Sequence, residues 1–157
     1  MPQTAPIELE YLMTIHADLA PPHLVDSGSR IVNVKGGWAE GPNIKATLIA
    51  PGGDWLQPLA SGVTRIDVRL TMLTDDEQLI FISYNGVVAH SEQSAAKMAA
   101  GGVMTPADGA YFVVAPTFRT GSEKYGWLNR VQAVGKMAQL SFDPANRFIK
   151  YDFFVVR

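Results

Sequence analysis

The stretch VTRIDVRLTMLT, Val63 to Thr74, has a period of two: Ile66, Val68, Leu70 and Met72 fall on one face, and Arg65, Asp67, Arg69 and Thr71 on the other. Successive side chains of a strand point to opposite sides, so this pattern predicts a strand with one apolar and one polar face rather than a helix. Moving away from it in both directions, the same rhythm recurs. Ile7, Leu9, Tyr11, Met13 and Ile15 alternate with Glu8, Glu10, Thr14 and His16. Further strand-like runs are Ser29–Lys35, Ile44–Ala50, Leu79–Val88, Ala110–Arg119, Asn129–Phe142 and Arg147–Val156. Turn-forming clusters punctuate them: Asp26-Ser27-Gly28, Gly36-Gly37, Glu40-Gly41-Pro42, Pro51-Gly52-Gly53-Asp54, Asp75-Asp76, Thr120-Gly121-Ser122 and Asp143-Pro144-Ala145-Asn146. Only Ser91–Ala100 reads as a helix, with Ser91 as its cap and Gly101 as its stop.

Strands joined by short links pair antiparallel, and closing the sheet removes its exposed edges. The expectation is an all-β chain: one antiparallel β-barrel of about eight strands, lipocalin-like in shape, with one short helix, spanning residues 1–157 as a single domain. A barrel of about eight strands is either filled by side chains or holds one small ligand.

Composition narrows the function classes. The chain has 157 residues, no cysteine and a net charge of −2. It lacks the basic stripe of a nucleic-acid module, and no apolar run is long enough for a membrane span. The N-terminus carries no secretory pattern, which makes a soluble cytoplasmic protein the expectation. Without cysteine there is neither a thiolate nucleophile nor a Cys-type zinc site. His16, His23 and His90 are scattered, and the glycine-rich stretch from Gly36 runs into another strand rather than a phosphate-binding helix. No metal and no cofactor are expected.

Three places carry candidate chemistry. The first is the row Arg65-Asp67-Arg69. Same-face neighbours lie about 6.8 Å apart, where opposite charges attract by about 0.6 kcal/mol in water and about 2.4 kcal/mol at an effective dielectric near 20. Outside a barrel the row is a weak solvated ladder; inside, it is an organised anion site. The second is PGGDW, Pro51 to Trp55: two glycines permit a sharp turn after Ala50, which would bring Asp54 and Trp55 to a strand end. The third is Tyr125-Gly126-Trp127-Leu128-Asn129, opening a strand, whose aromatics make either a hydrophobic plug or a binding wall. Tyr84 shares a face with Ile80 and Ile82, so it reads as a core aromatic with its hydroxyl at a rim.

Several of these stretches occur in one order: GGWAEGP from Gly36, PGGDW from Pro51, IDVR from Ile66, LTDD from Leu73, Tyr111-Phe112, Pro116-Thr117-Phe118, and YGWLN from Tyr125. Together they resemble the bacterial and fungal domain of unknown function family 3237, over nearly the whole chain from about Glu8 to Val155. The resemblance implies a single-domain antiparallel β-barrel and almost nothing about activity. It also implies that the Asp67/Arg69 row faces inward or onto a rim. Trp38, Glu77 and Val113 depart from the family pattern, the last where an arginine is usual; Arg119 appears later on that strand.

The expected function is binding of a small, anionic or aromatic molecule in the barrel interior or mouth. Acid/base catalysis of an isomerase, lyase or cyclase type would use Asp54 or Asp67 as the base. Trp55, Arg69, Tyr84, Tyr125, Trp127 and Asn129 would contact the substrate. The alternatives are a non-catalytic carrier and an oligomeric structural subunit.

Overall fold

The computed structural model describes residues 1–157. It contains β1 (Leu9–Leu19), β2 (His23–Asp26), β3 (Ser29–Gly41), β4 (Ile44–Pro58), β5 (Val63–Thr74), β6 (Leu79–Ala89), a helix α1 (Glu92–Ala99), β7 (Val103–Met104), β8 (Tyr111–Val114), β9 (Thr117–Arg119), β10 (Ala133–Ser141) and β11 (Phe148–Val156). Eight strands run in the order β1-β11-β10-β8-β6-β5-β4-β3, and β3 pairs back onto β1 to close the barrel. The pairings along this path are antiparallel; β2, β7 and β9 are short additions on β3, β10 and β6. α1 begins with a reciprocal cap: Ser94 N–H donates to Ser91 Oγ (3.0 Å) and Ser91 N–H to Ser94 Oγ (2.9 Å).

The apolar face of β5 points inward, where Ile66, Val68, Leu70 and Met72 are buried against Ile80 and Ile82 of β6. Met13, Ile15, Tyr151 and Phe153 arrive from β1 and β11, and 29 buried residues form one cluster. That cluster lines and largely occupies an interior that, at eight strands, has room for little more than side chains or one small ligand. Truncating a fully buried ring such as Phe153 is expected to cost about 3–5 kcal/mol.

The strands outrun the sequence reading because glycine pairs within them are irregularities, not corners. β4 continues through Pro51-Gly52-Gly53-Asp54 with a bulge between Ile49 and Gly53 against β5. Gly52 and Gly53 are not among the residues with positive φ, so the expected sharp turn after Ala50 does not form. They are glycines for room. A Cβ on Gly52 would lie 3.2 Å from Leu70 Cδ2, and one on Gly53 3.2 Å from the Val32 carbonyl oxygen. Gly36 and Gly37 likewise lie inside β3. In β1 a register shift between Tyr11 and Met13 buries both Leu12 and Met13 and leaves Leu9 and Tyr11 outside, so the expected single face is broken.

Two other expected strands divide. Ala110–Arg119 breaks at Ala115-Pro116 into β8 and β9. Residues Gly126–Arg130 form a 3-10 helix rather than the start of a strand, and β10 begins at Ala133. That helix closes the barrel end at the β5–β6 turn: Leu128 is fully buried, and the buried Tyr125 donates its hydroxyl to Asp76 Oδ1 (3.0 Å). Asp76 also accepts from Thr74 (2.6 Å) and Lys124 (2.8 Å), and these bonds, that of Lys124 first, hold its carboxyl far below the usual range.

Candidate functional site

The bulge in β4 adds two residues against β5, an even number, so the alternation carries through it and Asp54 keeps the inward side of Ala46 and Leu48. Asp54 stands opposite Val68, and Val68 opposite Tyr84, so all three share the inward layer. Trp55 is the next residue and faces out. PGGDW therefore makes neither a corner nor a shared mouth. It places an acid and an indole on opposite sides of one strand, because adjacent side chains of a strand diverge.

Asp54 is partly buried. Backbone pairing between β4 and β5 lapses between Asp54/Val68 and Gln57/Arg65, and there Asp67 N–H donates to Asp54 Oδ1 (3.2 Å). Burial raises the Asp54 carboxyl from its ordinary 3.8 to about 7; the Asp67 N–H pulls against this, and the Asp67 carboxylate adds to it. Beside it lie two buried phenols. Tyr84 and Tyr151 meet edge to face, with centroids 5.7 Å apart. Phe153 packs on Tyr84 and Phe112 on Tyr151, each at 5.7 Å. Desolvation pushes both phenols well above their ordinary 10, and the charge of Asp54 contributes to each shift. The cluster joins an acid that titrates near neutrality to two hydroxyls that keep their protons.

Tyr151 was invisible in the sequence. It occupies the inward row Ile149, Tyr151, Phe153, Val155, where an aromatic reads as packing. Tyr84 was legible, although its hydroxyl lies in the core and not at a rim.

Asp67 and Arg69 lie on the outer face, correcting the inward or rim position that the family pattern implied. The alternate positions of β5 fill the core, which leaves the charged row to solvent. Asp67 Oδ2 is 3.6 Å from Arg69 Nη2, with side chains 44% and 56% exposed, so this pair contributes no more than about 1 kcal/mol. The Arg69 guanidinium lies over the Trp55 ring, 5.4 Å from its centroid. Trp55, Asp67, Arg65, Asn85 and Tyr111 line a concavity of about 630 Å³ on the outside of the barrel. Because the indole is 41% exposed, Trp55→Ala is expected to cost about 1 kcal/mol in urea unfolding, well short of the roughly 3–5 kcal/mol of a core aromatic. A loss in the core range would show that the indole is a structural anchor.

Tyr125, Trp127 and Asn129 do not join Asp54 and Trp55. Tyr125 belongs to the end cap beside Asp76, and Trp127 is half-exposed on the same short helix. The Asn129 amide is spent on the Thr120 backbone, accepting from its N–H (2.8 Å) and donating to its carbonyl (2.9 Å). No three His, Asp or Glu side chains converge as metal ligands. No helix is long and apolar enough to cross a membrane.

A closed antiparallel barrel with a carboxylic acid and two phenols brought together on its inner side is the class of molecule that these features define. The chain belongs to the family of proteins of unknown function DUF3237, whose model matches residues 7–156. It is 27% identical to the hydroalkoxylation enzyme phnH of Penicillium herquei over 141 residues, which cover 87% of this chain and 78% of that one. A β-barrel-like protein from Acinetobacter baumannii is 29% identical and superposes with a TM-score of 0.80 over 100% of both chains. A conserved protein of unknown function from Rhodopseudomonas palustris, 23% identical, shares the fold with a TM-score of 0.87 over 99% of this chain and 100% of that one.

Proposed function

We propose that the protein is a cofactor-independent acid/base enzyme acting on a small organic molecule, with Asp54 as the group that moves the proton. The observation that carries this reading is Asp54 itself: a carboxyl raised to about 7 inside a barrel, next to Tyr84 and Tyr151. A catalytic group works best when its pKa lies near the operating pH, since it is then available as both base and acid. The two phenols stay protonated and supply hydrogen bonds to an oxygen that gains negative charge.

Addition of an alcohol across a carbon–carbon double bond needs such a device. One proton leaves the hydroxyl, one reaches carbon, and a single carboxyl serves both steps without a redox partner. The likeness to a hydroalkoxylation enzyme supports this class of chemistry, and isomerisation by proton removal and return makes the same demand.

The test is a panel of unsaturated phenols and alcohols incubated with the protein in D₂O and followed by NMR. The expected result is ring closure or deuterium incorporation that depends on Asp54. A ligand that binds without either change, in protein that is otherwise intact, favours a carrier instead. Turnover that survives in Asp54→Asn overturns the role of Asp54.

A further inference from the structure

We propose that the outer face of β5, β6 and β9 holds a second site, for a small aromatic carboxylate, with Arg119 as its anion-binding group. Strand register builds it. Thr71, Phe81 and Arg119 lie side by side across the three strands, and Arg69, Ser83 and Thr117 form the next row. The rows are about 6.8 Å apart and the strands about 4.8 Å. Leu70, Ile82 and Phe118 between them are buried, so both rows face outward, away from Asp54.

The rim is preformed. Besides its two bonds with Asn129, Thr120 donates its hydroxyl to the Leu79 carbonyl (2.7 Å), which fixes the loop leaving β9. Phe81, Ser83, Thr117, Arg119, Thr120 and Asn129 enclose a concavity of about 490 Å³, within the roughly 300–1,000 Å³ typical of small-ligand sites.

The chemistry of the lining selects the ligand. Five ion pairs occupy charged side chains of this protein, and Arg119 takes part in none of them. Its guanidinium fork matches a carboxylate, to which Ser83 and Thr117 present short hydroxyl donors. Phe81 is 40% exposed, leaving a ring for the planar body of the ligand to cover. An anion alone would leave that ring wet, and a neutral aromatic would leave the guanidinium without a partner.

Benzoate is the probe, titrated into ¹⁵N-labelled protein. The expected result is saturable shift changes at Ser83, Thr117, Arg119 and Asn129, with a dissociation constant of about 1–10 mM for one charge-assisted contact and partial ring burial. Arg119→Gln and Phe81→Ala should each weaken binding, the first at least tenfold, with the remaining spectrum unmoved. Arg30→Gln, an exposed arginine on β3, should bind as the parent does, and benzyl alcohol should not bind detectably. The proposal is overturned by absence of saturation, by shifts that map elsewhere, by undiminished benzoate binding in Arg119→Gln, or by benzyl alcohol matching benzoate. None of these outcomes depends on turnover at Asp54.

Discussion

Asp54→Asn is expected to lower any turnover by about 10²- to 10⁴-fold, the usual worth of a positioned general acid or base, and at the same time to stabilise the protein above neutral pH. The two effects have one origin. Folding raises the Asp54 carboxyl from 3.8 to about 7, so the folded state holds this proton more tightly than the unfolded chain does. Below about pH 4 both states are protonated and the group costs nothing. As pH rises the unfolded chain ionises first, and the stability tied to the neutral acid is lost, fully so once pH passes about 7. A rise of that size corresponds to about 4 kcal/mol at most, and the partial exposure of Asp54 reduces this to about 2–4 kcal/mol. Asn keeps an acceptor for the Asp67 N–H and has no charge to bury. Urea unfolding of both proteins at pH 4, 6 and 8 should therefore show curves that diverge with pH, the variant being the more stable at pH 8. Parallel curves would mean that the carboxyl is not held neutral by the barrel. For wild-type turnover, kcat/KM should change with an inflection near pH 7, and that inflection should vanish with Asp54.

The second large effect is expected at the seam where β3 meets β1. Gly37 has φ +137 and stands opposite Ala17; a Cβ there would collide with the His16 carbonyl oxygen and lie 3.1 Å from Ala17 Cα. The obstacle is backbone of the partner strand, so no rotamer change relieves it. Gly37→Ala must part the two strands that close the barrel. A cost above the roughly 1–3 kcal/mol of ordinary overpacking is expected, read as a lower urea midpoint or as failure to fold. Gly62→Ala is the control. Gly62 also has a positive φ, +80, but nothing lies within 4 Å of its Cβ, so only the left-handed backbone cost of about 1–2 kcal/mol applies. Equal losses at both positions would show that backbone angle, and not the close approach, governs the seam.

Alternation alone made the barrel legible. Val63–Thr74 matches β5 residue for residue, and eight of the eleven strands form the closed sheet. Period two is a local property, fixed by the geometry of each strand, and it survives in the sequence wherever one face is packed. Asp54 and Tyr84 were also legible as candidates, an acid after a glycine pair and an aromatic in an apolar row. Which side each faces was not. The bulge at Ile49–Gly53 adds two residues to β4, so the alternation keeps its phase and Asp54 goes in with Ala46 and Leu48 while Trp55 goes out; that the extra residues number two, and not one, is fixed by the partner strand. Tyr151 joined the site for a similar reason: its hydroxyl matters only because closure brings β11 across the barrel from β6. The charged row of β5 went outside because the opposite row was needed to fill the core. Side-chain period belongs to one strand, whereas facing, depth and a raised carboxyl pKa belong to the closed sheet.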